Sequence, residues 1–283
     1  DTLVVPEGVD SIAEGAFRYQ NDHLRSVTLP STLKTIGREA FYYCYYLNRI
    51  EIPSSVTIIG ESAFNECYNL YDITLNEGLD SIGPSAFRNI GSWSDRNVKV
   101  KLPSTLTGIG DYAFANIEKL GNVTSYIKSP FDISQNVFGR NERWSWDETE
   151  QKNVYTYDSS NATLYVPDNT KAKYEAIPGW NMFAKIIEGE LLEATVDSLT
   201  YSYLKGKGTA TLIGHTYSET SNITIPGSVK IGDDSYTVKE IGASAFQNYN
   251  NLDKLVIESG VVTIGESAFS NNYNLHSVTF PTS

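Results

Sequence analysis

The sequence predicts a right-handed α/β solenoid, strand-rich with short helical turns, in which each coil adds one strand to a mostly parallel sheet. Three observations predict it: an Ala-Phe dipeptide recurs, an Ile-Gly pair lies four residues before most copies, and a short strand ending in Pro follows. The spacings of successive Phe residues are 24, 23, 23 and 27 in the first series and 23 in the last pair: Phe17, Phe41, Phe64, Phe87, Phe114, then Phe246 and Phe269. One such unit cannot bury its own apolar face, but stacked units can.

Each part of the repeat has a local physical reason. Apolar residues alternate with a polar one in Ile50-Glu51-Ile52, which indicates a short half-buried strand. Pro53 cannot donate to a ladder, so it ends the strand. Gly60 is expected to turn the chain in a conformation that bulkier residues resist. The segment 61–66 suits one or two helical turns, with Phe64 filling the core.

Composition limits the classes of function. The chain has 283 residues, a net charge of −12 and a hydrophobic fraction of 40%, which is typical of a globular protein. The acidic balance argues against a nucleic acid partner, which needs a basic surface. No apolar run approaches the ~18 residues of a membrane span, so none is expected in this segment. Because the chain begins with Asp1 rather than Met, an N-terminal segment is expected to be missing or removed.

Cysteine and motif content predict no catalytic, cofactor or metal site. Cys44 and Cys67 occupy the same repeat position, and two free buried thiols are favoured over a disulfide. Neither shows metal-ligand spacing with His23, His215 or His276. Phosphate-binding, dinucleotide-binding, nucleophile-elbow and zinc-protease motifs are all missing from the sequence.

The pattern resembles a known family. Residues 36–53 read Ile-Gly-x-x-Ala-Phe-x-x-Cys-x-x-Leu-x-x-Ile-x-Ile-Pro, and this is similar to the BspA-like leucine-rich repeats of bacterial surface antigens. The period near 23 lies in the leucine-rich-repeat range. The resemblance covers about 1–140 and 220–283. It implies a leucine-rich-repeat superhelix on or outside a bacterial cell, with adhesion to host proteins and other surfaces.

The repeat breaks twice, and the breaks predict two tandem arrays. Residues 139–153 are interpreted as an inserted polar loop, and 164–188 as a degenerate coil that caps the first array, with a helix over Lys171–Ala176. Strand-turn-strand signals around 205–208 and 232–235 then indicate the hairpin-rich N-terminal cap of a second array. The predicted domains are therefore 1–190 and 191–283.

Both outer ends look cut within a repeat. Leu3 and Val5 at one end, and Val278 and Phe280 at the other, have no predicted cap. We therefore expect these ends to be frayed or to lie against a neighbouring molecule.

Aromatic residues supply the candidate interaction surface. Tyrosines are favoured at recognition surfaces because they bury much area at modest entropic cost. The candidates are Tyr19, Tyr42, Tyr43, Tyr45, Tyr46, Tyr68, Tyr71, Trp144 and Trp146. For the tyrosines the alternative is that the rings cover the edge of the core. For the two Trp residues, a sugar-stacking platform and anchoring of the inserted loop both remain open.

The leading functional hypothesis is a non-enzymatic interaction module that binds host or neighbouring-cell proteins, host matrix proteins among them. The alternatives are a glycan-binding surface protein that uses the Trp and Tyr residues, and a structural spacer in a longer array. The carboxylates of Asp147, Glu148 and Glu150 are interpreted as a solvated cluster rather than a glycosidase pair, because nothing in a polar loop raises a pKa.

Overall fold

A computed structural model describes residues 2–20, 24–94, 96–147, 149, 151–158, 160–216 and 219–281. The chain divides into two compact units, Asp1–Glu188 and Gly189–Ser283. Both are strand-rich, and the first is a solenoid built from stacked coils. The right-handed course of the solenoid stays a prediction.

Eight strands of the first unit form one parallel sheet. Numbered along the chain and given in sheet order, they are β1 (Thr2–Val4), β3 (Ser26–Thr28), β5 (Arg49–Ile52), β7 (Asp72–Leu75), β9 (Val98–Leu102), β11 (Leu120–Ser125), β14 (Ser160–Val166) and β15 (Phe183–Glu188). In β5, Ile50 and Ile52 are buried while Arg49 and Glu51 are exposed. This confirms the predicted half-buried strand, which ends just before Pro53.

Five coils also contribute a second, two-residue strand, so the prediction of one strand per coil is wrong for these coils. These strands form a five-stranded parallel sheet of β2 (Ser11–Ile12), β4 (Thr35–Ile36), β6 (Ile58–Ile59), β8 (Ser81–Ile82) and β10 (Gly108–Ile109). In this sheet the Ile of each Ile-Gly pair is buried, and the following Gly continues the ladder, as Gly60 N donates to Ile36 O at 2.8 Å. Burial of this Ile and pairing of its backbone therefore occur together.

The predicted helical turns are also wrong: the segments around each Phe are turns, not helix. Ser62 and Glu66 lie two residues before and after Phe64, and both adopt left-handed backbone angles, with φ of 54° and 65°. Two left-handed residues four apart break any right-handed helix. The Phe64 N–H instead donates to Ala86 O of the next coil at 2.7 Å, so the turns are cross-linked between coils as the strands are.

Gly60 is needed for a different reason from the one expected. It does not adopt the left-handed conformation, but a Cβ on it would lie 2.7 Å from the backbone N of Arg38 in the preceding coil. Close approach of successive coils, rather than the turn itself, excludes a side chain here.

The repeated Phe residues form the predicted stack, although Phe17 and Phe269 are only partly buried. Ring centroids of Phe41, Phe64 and Phe87 are 5.2 and 5.1 Å apart, and their planes lie within 6° of parallel. Phe138 continues the series, 5.3 Å from Phe114. These five rings are buried, which confirms the phase of the repeat.

The predicted inserted loop is an antiparallel hairpin of β12 (Arg140–Asp147) and β13 (Lys152–Asp158), which form a two-stranded sheet of their own. Alternating aromatic and hydroxyl residues favour strands over loop in both segments. After β14 the chain forms α1 (Lys171–Glu175), close to its predicted bounds, and a 3-10 helix (Trp180–Met182). Neither helix is long and apolar enough to cross a membrane, and the described residues contain no other.

The second unit has its own core and two sheets. The first comprises β16 (Leu191–Val196), β17 (Leu199–Leu204), β18 (Thr209–His215), β20 (Ser228–Ile231), β21 (Asp234–Ile241) and β23 (Thr263–Ile264), and the second β19 (Asn222–Ile225), β22 (Lys254–Ile257) and β24 (Ser277–Thr279). The antiparallel pairs β17–β18 and β20–β21 confirm both predicted hairpins. In the last coil Val278 and Phe280 are exposed, and their contact with a neighbouring molecule stays a prediction.

Candidate interaction surface

Six of the tyrosines singled out in the sequence come together beside the turns that follow Phe17, Phe41 and Phe64. With one tryptophan they form a contiguous set of rings, called here the aromatic surface: Tyr19, Tyr42, Tyr43, Tyr45, Tyr46, Tyr68 and Trp93. Tyr43 lies at its centre, with ring centroids 5.8 Å from Tyr19 and 5.7 Å from Tyr68. Both contacts are edge-to-face, a favoured aromatic geometry. The rings therefore support one another as a unit.

Trp93 also belongs to this surface, although the repeat pattern of the sequence does not indicate it. Its ring lies 4.8 Å from that of Tyr68 and 5.6 Å from that of Tyr45, and the residue is 59% exposed. Its backbone N–H donates to Tyr68 O at 3.0 Å. The signal that could have found it is the 27-residue spacing between Phe87 and Phe114, which adds chain at this turn.

The longer turn that presents Trp93 is held on both sides. Gly91 has φ of 71°, and a Cβ there would collide with the Val98 side chain. Ser94 is buried, and its Oγ accepts from Arg96 N at 3.0 Å. Lys119 Nζ donates to Ser94 O at 2.7 Å. The exposed indole thus stands on an anchored turn.

The aromatic surface lies where unusual residue types adopt a left-handed backbone conformation. In seven coils the second residue after the repeated Phe adopts a left-handed φ of 57–65°. In four coils this residue is an asparagine, which tolerates that conformation well: Asn89, Asn116, Asn248 and Asn271. In three consecutive coils it is Tyr19, Tyr43 or Glu66 instead. All three lie in or beside the aromatic surface.

One cation is already bound at the edge of this surface. The Arg18 guanidinium carbon lies 4.8 Å from the Tyr19 ring centroid and 5.2 Å from that of Tyr42. Arg18 Nη1 also lies 2.8 Å from Glu39 Oε2. Two phenol rings and a carboxylate together hold a guanidinium here.

Burial and a nearby carboxylate keep the phenols protonated. Burial raises the pKa of Tyr42, and the charge of Glu66 raises it further. The pKa of Tyr68 is also raised, first by burial and then by its hydrogen bond to the Glu66 carboxylate. A phenol is already protonated at neutral pH, and these shifts move the ionisation of both hydroxyls further from it, so both can donate hydrogen bonds.

Two of the proposed residues, Tyr71 and Trp146, lie outside the aromatic surface. Tyr71 packs against the core, with the Arg96 guanidinium 5.0 Å from its ring centroid. Trp146 belongs to the β12–β13 hairpin and is 56% exposed. The side chain of Trp144 lies outside what the structure describes, as do Glu148 and Glu150.

Cys44 and Cys67 are buried free thiols, as predicted, and each donates to a carbonyl of the preceding coil, Phe17 O at 3.0 Å and Phe41 O at 3.2 Å. Burial raises the pKa of Cys44 to about 11. Among the described residues no group of three or more His, Cys, Asp or Glu could hold a metal ion; His23 lies outside them. A hollow of about 270 Å³ opens beside Leu3 and Phe17, with an almost wholly apolar lining.

The repeat geometry agrees with a comparison against protein families. The model of the BspA type leucine rich repeat region matches in six copies, over residues 1–99, 93–157 and 217–283. The chain belongs to the BspA-type leucine-rich repeat family. The aromatic surface lies within the first matched stretch, so it is a local variation of the BspA-type repeat. No curated protein matches the chain.

Several solved structures are similar to this BspA-type chain. A T. pallidum leucine rich repeat protein is 31% identical over 49% of this chain and 64% of that one, less than two thirds of its length, with a TM-score of 0.45. A Bacteroides ovatus leucine-rich repeat protein is 19% identical over 98% and 60% of the two chains, with a TM-score of 0.43. The pneumococcal vaccine antigen PcpA is 20% identical over 99% and 50%, with a TM-score of 0.36.

Proposed function

We propose that this chain is a non-enzymatic protein-binding module displayed on or secreted from a bacterial cell, and that the aromatic surface is its binding site. Adhesion to host or neighbouring-cell proteins, host matrix proteins among them, is the role we assign to it. Membership of the BspA-type family supports display outside the cell. The binding site itself rests on the local structure alone.

The observation that carries the proposal is the left-handed conformation of Tyr19 and Tyr43. A non-glycine residue held in this region costs on the order of 1–3 kcal/mol, and asparagine costs least. The same fold position is asparagine in four other coils. Tyrosines that occupy it in two adjacent coils, and join a half-exposed ring cluster there, are better explained by recognition than by stability.

The chemistry of the aromatic surface suits a protein partner. Trp, Tyr and Arg are the side chains most often found at energetic hot spots of protein interfaces, and all three meet here. Trp93 and Tyr19 are 59% and 50% exposed, so they can be buried by a partner. Their contacts with neighbouring rings hold them in place before binding, which lowers the entropic cost of association.

Glycan binding is the second candidate, because exposed indoles also stack on sugar rings and Trp93 and Trp146 are both more than half exposed. A structural spacer is the third.

The test compares three purified forms on immobilised matrix proteins (fibronectin, collagen and laminin) and on a glycan array. They are the unmodified chain, a triple variant Tyr19→Asn, Tyr43→Asn, Trp93→Ser, and a control variant Arg49→Gln, Glu51→Gln on the exposed face of β5. We expect saturable binding to a matrix protein that the triple variant loses and the control keeps. Binding to glycans alone would favour the second candidate, and binding to neither would favour the spacer.

A further inference from the structure

A carboxylate lies among the rings of the aromatic surface without an opposite charge. Glu66 Oε2 accepts a hydrogen bond from the Tyr68 hydroxyl, and Glu66 Oε1 accepts from Asn89 Nδ2 at 3.3 Å. Both donors are neutral. Within the described part of the chain Glu66 takes part in no ion pair.

The backbone at Glu66 repeats the signature of the two neighbouring tyrosines. Its φ of 65° is left-handed, at the position where four other coils have asparagine. An asparagine could receive the hydrogen bond from Asn89 without the strain, as Asn248 Oδ1 does from Asn271 Nδ2 at 2.9 Å. A negative charge, rather than a hydrogen-bond acceptor, is what Glu66 adds at this point.

Another site in the same chain shows which kind of group binds between aromatic rings and a carboxylate. Arg18 is bound by the faces of Tyr19 and Tyr42 and by the Glu39 carboxylate, with a charge-assisted contact of 2.8 Å. Glu66 supplies a carboxylate of the same kind, and the ring of its hydrogen-bond partner Tyr68 lies 5.7 Å from the Tyr43 ring and 4.8 Å from the Trp93 ring. Trp is the strongest of the aromatic partners for a cation.

We infer that the Glu66 carboxylate and the rings of Tyr68 and Trp93 form a subsite for an arginine side chain of a basic segment in the protein partner. This rests on the proposed function and names the chemistry of its partner. The net charge of −12 favours a basic segment as well, because it attracts cations over longer range. Arginine fits better than lysine because its planar guanidinium stacks on a ring while its N–H groups reach a carboxylate.

The test uses three synthetic peptides of equal length, in which glycine alternates with arginine, lysine or citrulline. Citrulline keeps the shape of arginine and removes its charge. Binding is measured by isothermal titration calorimetry at 150 mM salt, where the attraction of distant charges is largely screened. We expect the arginine peptide to bind best, with a loss of about ten-fold or more for citrulline and a smaller loss for lysine.

Two protein variants separate the subsite from net charge. Glu66→Gln keeps an acceptor oxygen for Asn89, places an N–H group that can donate to the Tyr68 hydroxyl oxygen, and removes the charge. It should weaken arginine binding about ten-fold. Glu118→Gln removes the same charge from an exposed position in a later coil and should change binding less than about two-fold. Equal losses in both variants, or equal affinity for arginine and citrulline peptides, would overturn the subsite.

These outcomes are independent of the proposed function. If the chain binds a matrix protein through the aromatic surface but Glu66→Gln leaves that affinity unchanged, the interaction module stands and the arginine subsite is wrong. If Glu66→Gln selectively weakens the arginine peptide but no matrix protein binds, the subsite stands and its partner lies elsewhere.

Discussion

Tyr43 and Asn89 adopt the same left-handed backbone conformation, with φ of 60° and 57°, at the same position of two coils. Asn89 is the residue that stability alone favours there, and Tyr43 carries the centre of the aromatic surface. The asparagine found in other coils is therefore the natural reference for each side chain that replaces it at this position. Substituting asparagine for a tyrosine at this position removes a ring, while the backbone can keep its left-handed conformation.

The variant Tyr19→Asn, Tyr43→Asn should fold with a free energy of unfolding within about 1 kcal/mol of the unmodified chain, because relief of left-handed strain offsets the lost ring contacts. Denaturant melts of both proteins measure this. A loss above about 2 kcal/mol would instead mean that the rings cover the edge of the core, the alternative interpretation of the sequence.

Phe64→Ala should destabilise the first unit by about 3–5 kcal/mol, because Phe64 is fully buried between two stacked rings and its coil cannot collapse around the cavity. Phe17→Ala is the matched control. Phe17 is only partly buried, so its removal should cost less. Urea unfolding followed by circular dichroism gives both values, and a loss below about 1 kcal/mol for Phe64→Ala would contradict the described stack.

Gly83→Ala should destabilise the first unit by about 1–3 kcal/mol, because a Cβ there would lie 2.6 Å from Glu61 N and the two coils would have to separate. Gly108→Ala introduces the same methyl group where nothing lies within 4 Å, so its stability should stay within about 1 kcal/mol. Thermal melts of the pair test the coil spacing. Equal melting temperatures would show that the coils approach less closely than described.

Stability should fall as the pH rises above about 9, and Cys44 is one cause. Burial raises its pKa in the folded state from 9.0 to about 11, so the unfolded chain loses this proton first. The contribution is therefore fully present below pH 9.0 and is lost as the pH rises towards 11. Urea melts at pH 8 and 10 should show a smaller pH dependence for Cys44→Ala than for the unmodified chain. Identical pH dependence would mean that the thiol is accessible when folded.

Much of the fold could be predicted because the same sequence pattern recurs in many coils. The alternation in Ile50-Glu51-Ile52 and the spacing of the Phe residues identified the strand and the stack. The turns could not be predicted, because the left-handed backbone at Ser62 and Glu66 depends on hydrogen bonds to the next coil, which have no local signature. Local propensity therefore suggested helix where contacts between coils impose turns.

The tyrosines of the candidate surface could be recognised from composition, but their grouping could not. Tyr71 follows Leu70 in sequence and packs on the core, whereas Tyr68 lies two residues before Leu70 and joins the surface. Trp93 was missed because a lone Trp in a lengthened turn has no repeat partner. The longer spacing between Phe87 and Phe114 is visible in the sequence. Where it places Trp93 depends on contacts with the neighbouring coil.

The central claim, that the aromatic surface is the binding site, is tested most directly by one affinity. It is the affinity of the Tyr43→Asn variant for the partner that the unmodified chain binds. Tyr43 contacts four other tyrosines of the aromatic surface, so its removal should weaken binding by about ten-fold or more while the fold is kept. Surface plasmon resonance, with Arg49→Gln, Glu51→Gln on the sheet face as control, gives both affinities. The account predicts that the affinity of the control changes by less than about two-fold. Weaker binding by the sheet-face variant, with the affinity of Tyr43→Asn unchanged, would contradict it.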